Sequence, residues 1–459
     1  MKKYLIVIMA VFVITMAGIV IATNIFETKN DIGESVFSFE TLKATFKVDK
    51  KKIAEQRKAR EESSDSTGVF LVDVDTSYVN DESGEQGKSV SEYSDTEFFH
   101  ASVLTEKDIK TREEYGLTKE KITELCAENA GFYCYETMEE SLHQLYAEVL
   151  YATTERLSEV PLCTREQKEL DYAYRCVMND HPEIYTVSGY TCVLHSANNT
   201  PVKIVYTAKY TMTAHEEAAA KRQIDAYTKK FLSGIRKDAS DYDKVKYTYE
   251  YLIDNTEYVL DSKENQNICS VMLYNQSVCL GYAKSMQYLL RQLNVKSTVV
   301  EGLATGGEPH AWNMVHIHNA YYFVDVTWGD SSYGAADSVL TQGMNYDYLN
   351  ITSDELAKSH IIDNVVPIPR CVEIADNYYV REGLYFDRIN PSVLSAVFKE
   401  AFKKGEEHVT IKCSSDAVFQ EMKDYLLEEQ KIFDYMSEGT ESISYGENPD
   451  LFTLTFMIK

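Results

Sequence analysis

One stretch of the chain, residues 277–330, contains the three residue types that acyl transfer through a thiol requires. Cys279 offers the thiol, His310 a proton acceptor and Asp325 a carboxylate. An ordinary thiol has a pKa of about 8.5 and is mostly protonated at neutral pH, so a nearby base must take its proton. A carboxylate then fixes the orientation of that base. The order of these residues along the chain predicts a cysteine-dependent catalytic site.

Cys279 lies where a helix is predicted to begin. Apolar residues recur at helical spacing from Tyr282 to Leu293, which predicts a helix with one face packed inward. Unpaired N–H groups and the positive end of the helix dipole stabilise a thiolate at such a position. The neighbouring Gly281 is expected to let a substrate backbone come close. By itself, however, a cysteine at a helix start is more often an inert core residue.

The following segment, HAWNMVHIHNAYYFVDVTWGD, predicts a β-hairpin. Its turn is expected at His318-Asn319, because asparagine tolerates a positive φ and the flanking residues are apolar. A two-residue turn places Ile317 opposite Ala320 and fixes the register of both strands.

In this register Trp312 faces Asp325 and His310 faces Thr327. His310 and Asp325 then become diagonal neighbours on one face of the sheet, with Cα atoms about 7–8 Å apart. A slip of one residue would separate them to opposite faces. Asp325 also interrupts an apolar run, residues 322–326, where an unpaired carboxylate is costly. It is therefore expected to have a partner.

Three segments of the chain resemble the transglutaminase-like superfamily, whose core has a papain-like fold. They are Val278–Ala283 (VCLGYA), His310–Asn313 (HAWN) and Val324–Trp328 (VDVTW), in the order and spacing of that family. The resemblance extends over residues 241–360, and DHPEIY at residues 180–185 looks like a motif of bacterial members. The chain is most similar to the subgroup of bacterial proteins related to kyphoscoliosis peptidase and the fungal cytokinesis proteins.

The resemblance implies a role for each site residue. Cys279 is expected to be the nucleophile, His310 the general base and then acid, and Asp325 the orienting carboxylate. The chain departs from many members at Leu280, where they carry glutamate, and this departure bears on substrate choice.

An oxyanion hole needs a second donor beside the backbone N–H of Cys279. In animal transglutaminases an upstream tryptophan supplies it, but the two tryptophans of this chain are Trp312 and Trp328. Tyr274 and Gln276 are the substitutes considered, with a structural role favoured for both.

Neither a metal nor a cofactor is predicted. A metal site formed by His310, His316 and Cys279 was weighed, since the two histidines share a strand face. It is disfavoured because His318 belongs to the turn and no second cysteine lies at ligand spacing. The sequence also lacks an EF-hand calcium pattern.

The composition is that of a globular protein without affinity for nucleic acid. Of 459 residues 44% are hydrophobic, and the formal net charge of -26 repels phosphate backbones. The dense basic run Lys47–Arg60 is accompanied by Glu55, Glu61 and Glu62, which predicts a solvated helix of mixed charge. Nine cysteines without a CxxC pair argue against zinc-ribbon and thioredoxin-like sites, and disulfide pairing stays open.

The N-terminal segment predicts a membrane anchor. Lys2 and Lys3 precede an apolar stretch, Tyr4–Ala22, that is near the length needed to span a bilayer. The charge distribution orients the body outside the cytoplasm. Cleavage by signal peptidase, giving a secreted protein, is the alternative.

The predicted fold class is α+β: a papain-like transglutaminase core with a helical or α+β N-terminal region and a small α+β C-terminal domain. The predicted divisions are an anchor or signal peptide (1–24), a linker with one charged helix (25–100), the N-terminal region (101–235), the catalytic domain (236–365) and the C-terminal domain (366–459).

These observations predict an extracytoplasmic enzyme that transfers acyl groups from peptide or side-chain amides through a thioester. Its expected partners are a protein or peptide substrate and the membrane. Hydrolysis is favoured narrowly over cross-linking, because the family contains many peptidases. The alternatives are a non-catalytic module that binds cell-surface protein or peptide and a structural envelope protein. Neither alternative needs a base aimed at a thiol, so the presence of all three residues favours the enzyme.

Overall fold

The computed structural model of the protein describes residues 67–75, 104–197, 200–330 and 344–458. The predicted anchor, 1–24, and the predicted charged helix lie outside these residues. Within the described ranges, no helix combines the length and the apolar character that crossing a bilayer requires.

The N-terminal region packs helices on one antiparallel sheet with the strand order β1-β3-β4-β2. Its helices are α1 (Glu106–Glu114), α2 (Lys119–Asn129), α3 (Tyr133–Thr137), α4 (His143–Thr154) and α5 (Gln167–Asp180). Its strands are β1 (Thr67–Asp75), β2 (Val160–Pro161), β3 (Val187–Ala197) and β4 (Thr200–Tyr210).

Strand β1 corrects the prediction that residues 25–100 form only a linker with a charged helix. It pairs with β3 over its whole length, from Thr67 opposite Ala197 to Asp75 opposite Gly189. The sequence shows a short alternation here, but a strand needs a partner for its backbone groups. That partner is distant in the chain, so the local pattern alone did not identify it.

The middle region contains a five-stranded sheet with the order β10-β9-β8-β7-β11, in which all neighbours are antiparallel. Its strands are β7 (Lys296–Ala304), β8 (Pro309–Ile317), β9 (Ala320–Val324), β10 (Leu349–Ile351) and β11 (His360–Ile362). A separate parallel pair is formed by β5 (Glu257–Tyr258) and β6 (Gln276–Ser277).

The middle region also contains helices. They are α6 (Ala214–Ser233), α7 (Asp241–Asn255), α8 (Ile268–Tyr274), α9 (Cys279–Gln292), α10 (Val326–Gly329), α11 (Ser353–Leu356) and α12 (Tyr378–Arg381). Helix α6 was assigned to the N-terminal region, yet its Ala220, Ile224 and Phe231 enter the core of the middle region. The domain boundaries themselves stay predictions.

The C-terminal unit has its own core under a sheet with the order β12-β13-β15-β14. It comprises β12 (Tyr385–Phe386), α13 (Pro391–Lys404), β13 (His408–Cys413), α14 (Asp416–Lys423), β14 (Tyr445–Asn448) and β15 (Thr453–Met457). Mixed helices and strands in each region confirm the α+β class.

The β8–β9 hairpin has the predicted turn. His318 and Asn319 both adopt positive φ, 47° and 66°, and Ile317 pairs with Ala320. Positive φ at both central residues gives a turn whose twist matches that of the flanking strands. The register is therefore the predicted one as far as Val324.

Beyond Val324 the predicted strand pairing is wrong. Trp312 does not pair with Asp325, nor His310 with Thr327, because the strand ends and α10 begins at Val326. The cause is the side chain of Asp325, whose Oδ1 accepts the backbone N–H of Trp328 at 3.1 Å. This bond caps the helical turn.

Candidate active site

Cys279 is the first residue of α9 and is buried, with 4% of its surface exposed. The first N–H groups of a helix have no acceptor within the helix. The preceding residue, Val278, forms no side-chain cap that could take them. The thiol therefore lies at the positive end of the helix dipole, which favours its anionic form.

Gly281 allows the start of α9 to lie close to the elements before it. A β-carbon at this position would collide with the hydroxyl groups of Ser277 and Ser270, which hydrogen-bond to each other at 2.7 Å. The sequence analysis expected this glycine to face a substrate. The structure corrects that expectation, since the space that the missing side chain leaves is filled by the protein.

Helix α9 and strand β8 are tied together next to Cys279. Asn313 of β8 is fully buried, and its Nδ2 donates to the carbonyl oxygen of Ala283 on α9 at 2.9 Å. Ala283 also packs with Cys279, Val299 and Ala311 in one small apolar cluster. Because β8 carries His310 near its start, these contacts fix the histidine relative to the cysteine.

The structure brings the three predicted site residues together. His310 Nε2 lies 2.6 Å from Asp325 Oδ2, and the two side chains are 3% and 1% exposed. The thiol of Cys279 is close enough to His310 for a hydrogen bond. A carboxylate can only accept, so Nε2 donates to Asp325 and Nδ1 remains for the thiol.

The buried carboxylate of Asp325 accepts three hydrogen bonds. Its Oδ2 accepts from His310 and, at 3.0 Å, from Nε2 of His360, and its Oδ1 accepts from the Trp328 backbone. The backbone N–H of Asp325 donates to the carbonyl oxygen of Tyr348 at 3.0 Å. A buried carboxylate needs such compensation, and the partner that the sequence analysis expected for it is present.

The ion pair sets the protonation of both partners. Burial alone would lower the pKa of His310, but the charge of Asp325 and hydrogen bonds to Asp325 and Cys279 raise it to about 10. Burial would raise the pKa of Asp325, but His310 and His360 hold it well below its ordinary value. At neutral pH a cationic imidazole therefore faces the sulfur, and a neighbouring cation favours the thiolate.

Aromatic rings enclose the polar groups. The ring centroids of Trp312 and Trp328 lie 6.0 and 5.9 Å from that of His310, and the Trp328 ring lies 5.0 Å from that of Tyr348. An enclosure of this kind excludes water and strengthens the electrostatic interactions inside it.

His360 is the site residue that the sequence analysis did not assign, although the family resemblance ended at it. It begins β11, the edge strand that pairs with β7. No local pattern marks it, since β11 is separate in the chain from the β8–β9 hairpin that carries His310. A buried histidine facing Asp325 appears only when β11 joins the sheet.

His310, Asp325 and His360 form a cluster of possible metal ligands. Their ligand atoms lie within 4.8 Å of one another, and among the described residues this cluster includes neither His316 nor Cys279. Both imidazole Nε2 atoms already donate to Asp325. A metal would have to displace the proton of His310, whose pKa is raised, so hydrogen bonding fits this site better. The ring of His316 lies elsewhere on the sheet, with its centroid 4.7 Å from that of Tyr321.

The two substitutes considered for the oxyanion hole have other contacts. Gln276 Nε2 donates to Glu257 at 3.2 Å, and Lys263 lies over the Tyr274 ring at 5.2 Å. These contacts favour the structural role for both. The first-turn N–H groups of Cys279 and Leu280 are the donors that the helix itself offers.

Comparison with known proteins gave a family match for the part of the chain that contains Cys279, His310 and Asp325. Residues 227–328 match the family model described as the transglutaminase-like superfamily. The search of curated proteins gave no match. Residues 227–328 therefore form a transglutaminase-like domain. The particular subgroup stays a prediction.

Two solved structures are similar to part of the chain. One, titled as the crystal structure of a TGase, is 16% identical, with a TM-score of 0.23 over 31% of this chain and 44% of that one. The other is a candidate cysteine protease from Cytophaga hutchinsonii, 18% identical, with a TM-score of 0.21 over 30% of this chain and 57% of that one. The matches thus span about half the length of either structure.

If His310 and Asp325 form a buried ion pair, Asp325→Asn should change the pKa of His310. Without the carboxylate charge, burial becomes the dominant influence, so we expect the pKa of His310 to fall from about 10 to below its ordinary 6.5. Titration of the histidine by nitrogen-detected NMR measures this change. A wild-type pKa near 6.5, or one that is unchanged in the variant, contradicts the assignment of a buried ion pair.

The same substitution should also change how stability depends on pH. A raised histidine pKa contributes stability that is complete below 6.5 and is lost as the pH rises through about 10. We expect Asp325→Asn to cost about 3–5 kcal/mol at pH 6.5 and less at pH 10. Urea unfolding at the two values measures the difference. Asp354→Asn, which breaks an exposed pair with Arg370, is the control and should cost about 0–1 kcal/mol.

Proposed function

We propose that this protein is a cysteine-dependent enzyme that transfers acyl groups from peptide or side-chain amides, with water as the acceptor. The observation that carries this proposal is the arrangement of Cys279 at the start of α9 beside His310, which is itself paired with buried Asp325. A binding module has no need of a proton carrier aimed at a thiol. The superfamily match of residues 227–328 agrees with this chemistry.

Acylation would begin with attack of the Cys279 sulfur on the amide carbonyl carbon. The carbonyl π electrons move to oxygen, where the N–H groups at the start of α9 stabilise the negative charge. As the C–N bond breaks, His310 passes its Nδ1 proton to the leaving amine. The product is a thioester on Cys279. Asp325 remains ionised throughout and keeps the Nε2 proton of His310 in place.

Deacylation would run through the same groups in reverse. The neutral His310 takes a proton from water at Nδ1, and the resulting hydroxide attacks the thioester carbonyl. The C–S bond breaks, the acid leaves, and Cys279 and His310 return to the thiolate and imidazolium pair. A primary amine in place of water would give cross-linking with the same residues. Water is proposed because the family that the site segments resemble contains many peptidases.

Reaction of Cys279 with iodoacetamide tests the proposed nucleophile. At pH 6.5 an ordinary thiol is only about 1% ionised, so we expect Cys279 to react at least about 100-fold faster than a comparable thiol. Cys269 is the matched comparison, because it is likewise buried in the first turn of a helix, whereas its pKa is raised by burial to about 12. Peptide mapping of the alkylated protein measures both rates in one sample.

His310→Ala should abolish the faster alkylation of Cys279, because it removes the cation beside the sulfur. If Cys279 and Cys269 react alike in the wild-type protein, the enzyme proposal fails. The non-catalytic binding module then becomes the better account.

The acceptor can be determined with a glutamine-containing peptide and an excess of a biotinylated primary amine. Hydrolysis predicts a cleaved or deamidated peptide without biotin, detected by mass spectrometry and absent with Cys279→Ser. A biotinylated peptide as the main product would retain the thioester chemistry and replace water by an amine as the acceptor.

We also propose that the enzyme acts outside the cytoplasm, held at the membrane by residues 1–24. The support is the apolar stretch Tyr4–Ala22 behind two lysines. Treatment of intact cells with proteinase K should then degrade the body of the protein, and the membrane pellet should retain it before treatment. Protection in intact cells contradicts this location, and recovery in the medium indicates cleavage and secretion.

A further inference from the structure

A second histidine shares the carboxylate oxygen that His310 uses. His360 Nε2 lies 3.0 Å from Asp325 Oδ2, and His310 Nε2 lies 2.6 Å from the same atom. The side chain of His360 is completely buried. Because a carboxylate accepts only, both imidazoles donate an N–H to this one oxygen.

The other nitrogen of His360 is also engaged. Its Nδ1 lies 2.8 Å from the hydroxyl oxygen of Ser359, which in turn lies 3.4 Å from the phenol oxygen of Tyr348. With Nε2 donating to Asp325, Nδ1 is left to pair with the Ser359 hydroxyl. This contact fixes the tautomer that points an N–H at the carboxylate.

The ring of His360 is also held by packing. Its centroid lies 4.8 Å from that of Trp312 and 4.6 Å from that of Trp328. Gly302 of β7 lets β11 come close, because a β-carbon there would collide with the carbonyl oxygen of Ile361. Strand β11 therefore carries His360 to a defined place behind Asp325.

Hydrogen bonds from Trp328 and His360 determine the orientation of the Asp325 carboxylate independently of His310. The terminal torsion of an aspartate is broad, so one hydrogen bond leaves the group free to turn. Here the Trp328 N–H holds Oδ1 and the His360 N–H holds Oδ2. Two fixed donors on the two oxygens keep Oδ2 aimed at His310 even after His310 has given up its Nδ1 proton.

We infer that His360 is a positioning residue of the site, whose N–H bond holds the Asp325 carboxylate in the orientation that His310 requires. This inference rests on the proposed function of Cys279, His310 and Asp325. It assigns His360 no contact with substrate. The competing explanation is that His360 is only an aromatic filler between Trp312 and Trp328.

Two variants of His360 separate these explanations. Gln places an N–H donor where Nε2 was, whereas Leu is of similar size and has no hydrogen-bonding atom. The readout is the rate at which iodoacetamide alkylates Cys279 at pH 6.5 in the full chain, with the melting temperature recorded alongside. We expect His360→Gln to stay within about 3-fold of wild type and His360→Leu to react about 100-fold more slowly.

Equal rates in the Gln and Leu variants, whether fast or slow, overturn the inference, because the N–H group would then not matter. If His360→Leu does not fold, Ser359→Ala decides the question. This substitution removes the hydroxyl group that holds His360 in one tautomer and should slow alkylation of Cys279 by about 3- to 10-fold. An unchanged rate overturns the inference. A failure of the proposed function looks different, because Cys279 would then be unreactive in the wild-type protein as well.

Discussion

The buried ion pair between His310 and Asp325 is the interaction on which the rest of the site depends. Burying two charges costs several kcal/mol for each ion, and their attraction offsets that cost only with good geometry and further hydrogen bonds. The protein supplies those bonds to Asp325 from the Trp328 backbone and from His360. As a result His310 remains a cation next to Cys279, whereas an isolated buried histidine would be neutral.

The elements around the His310–Asp325 pair all serve to give its two buried charges good geometry and further hydrogen bonds. Strand β9 ends before Asp325, which frees the carboxylate from the sheet and lets it cap α10. Strand β11 is short, yet it brings the second imidazole. Two glycines, Gly281 and Gly302, occur where a side chain would push α9 or β11 away from its neighbours. Packing and chemistry thus constrain the same few positions.

The parts of the site that depend on nearby residues could be predicted from the sequence. The helix start at Cys279 follows from apolar spacing, and the turn at His318-Asn319 follows from the conformational freedom of asparagine. The proximity of His310 and Asp325 was expected from the hairpin register. That reason was only partly right, since the strand ends at Val324 and the side chain of Asp325 reaches the histidine from a helical turn.

The parts that depend on distant pairing could not be predicted. His360 reaches Asp325 because β11 pairs with β7, and β1 becomes a strand because β3 lies beside it. Neither partner is visible in a local window of sequence. The family resemblance included His360, but a motif shows that a residue belongs to a pattern and does not show what it contacts.

The central claim is that Cys279 forms a thioester with the help of His310, and trapping the acyl-enzyme tests it most directly. The protein is mixed with an activated 4-nitrophenyl ester, quenched in acid and analysed by intact-mass and peptide-level mass spectrometry. The account predicts one acyl group on Cys279, removed by hydroxylamine and absent from His310→Ala. No adduct, or an adduct spread over other cysteines and equally abundant in His310→Ala, would contradict it.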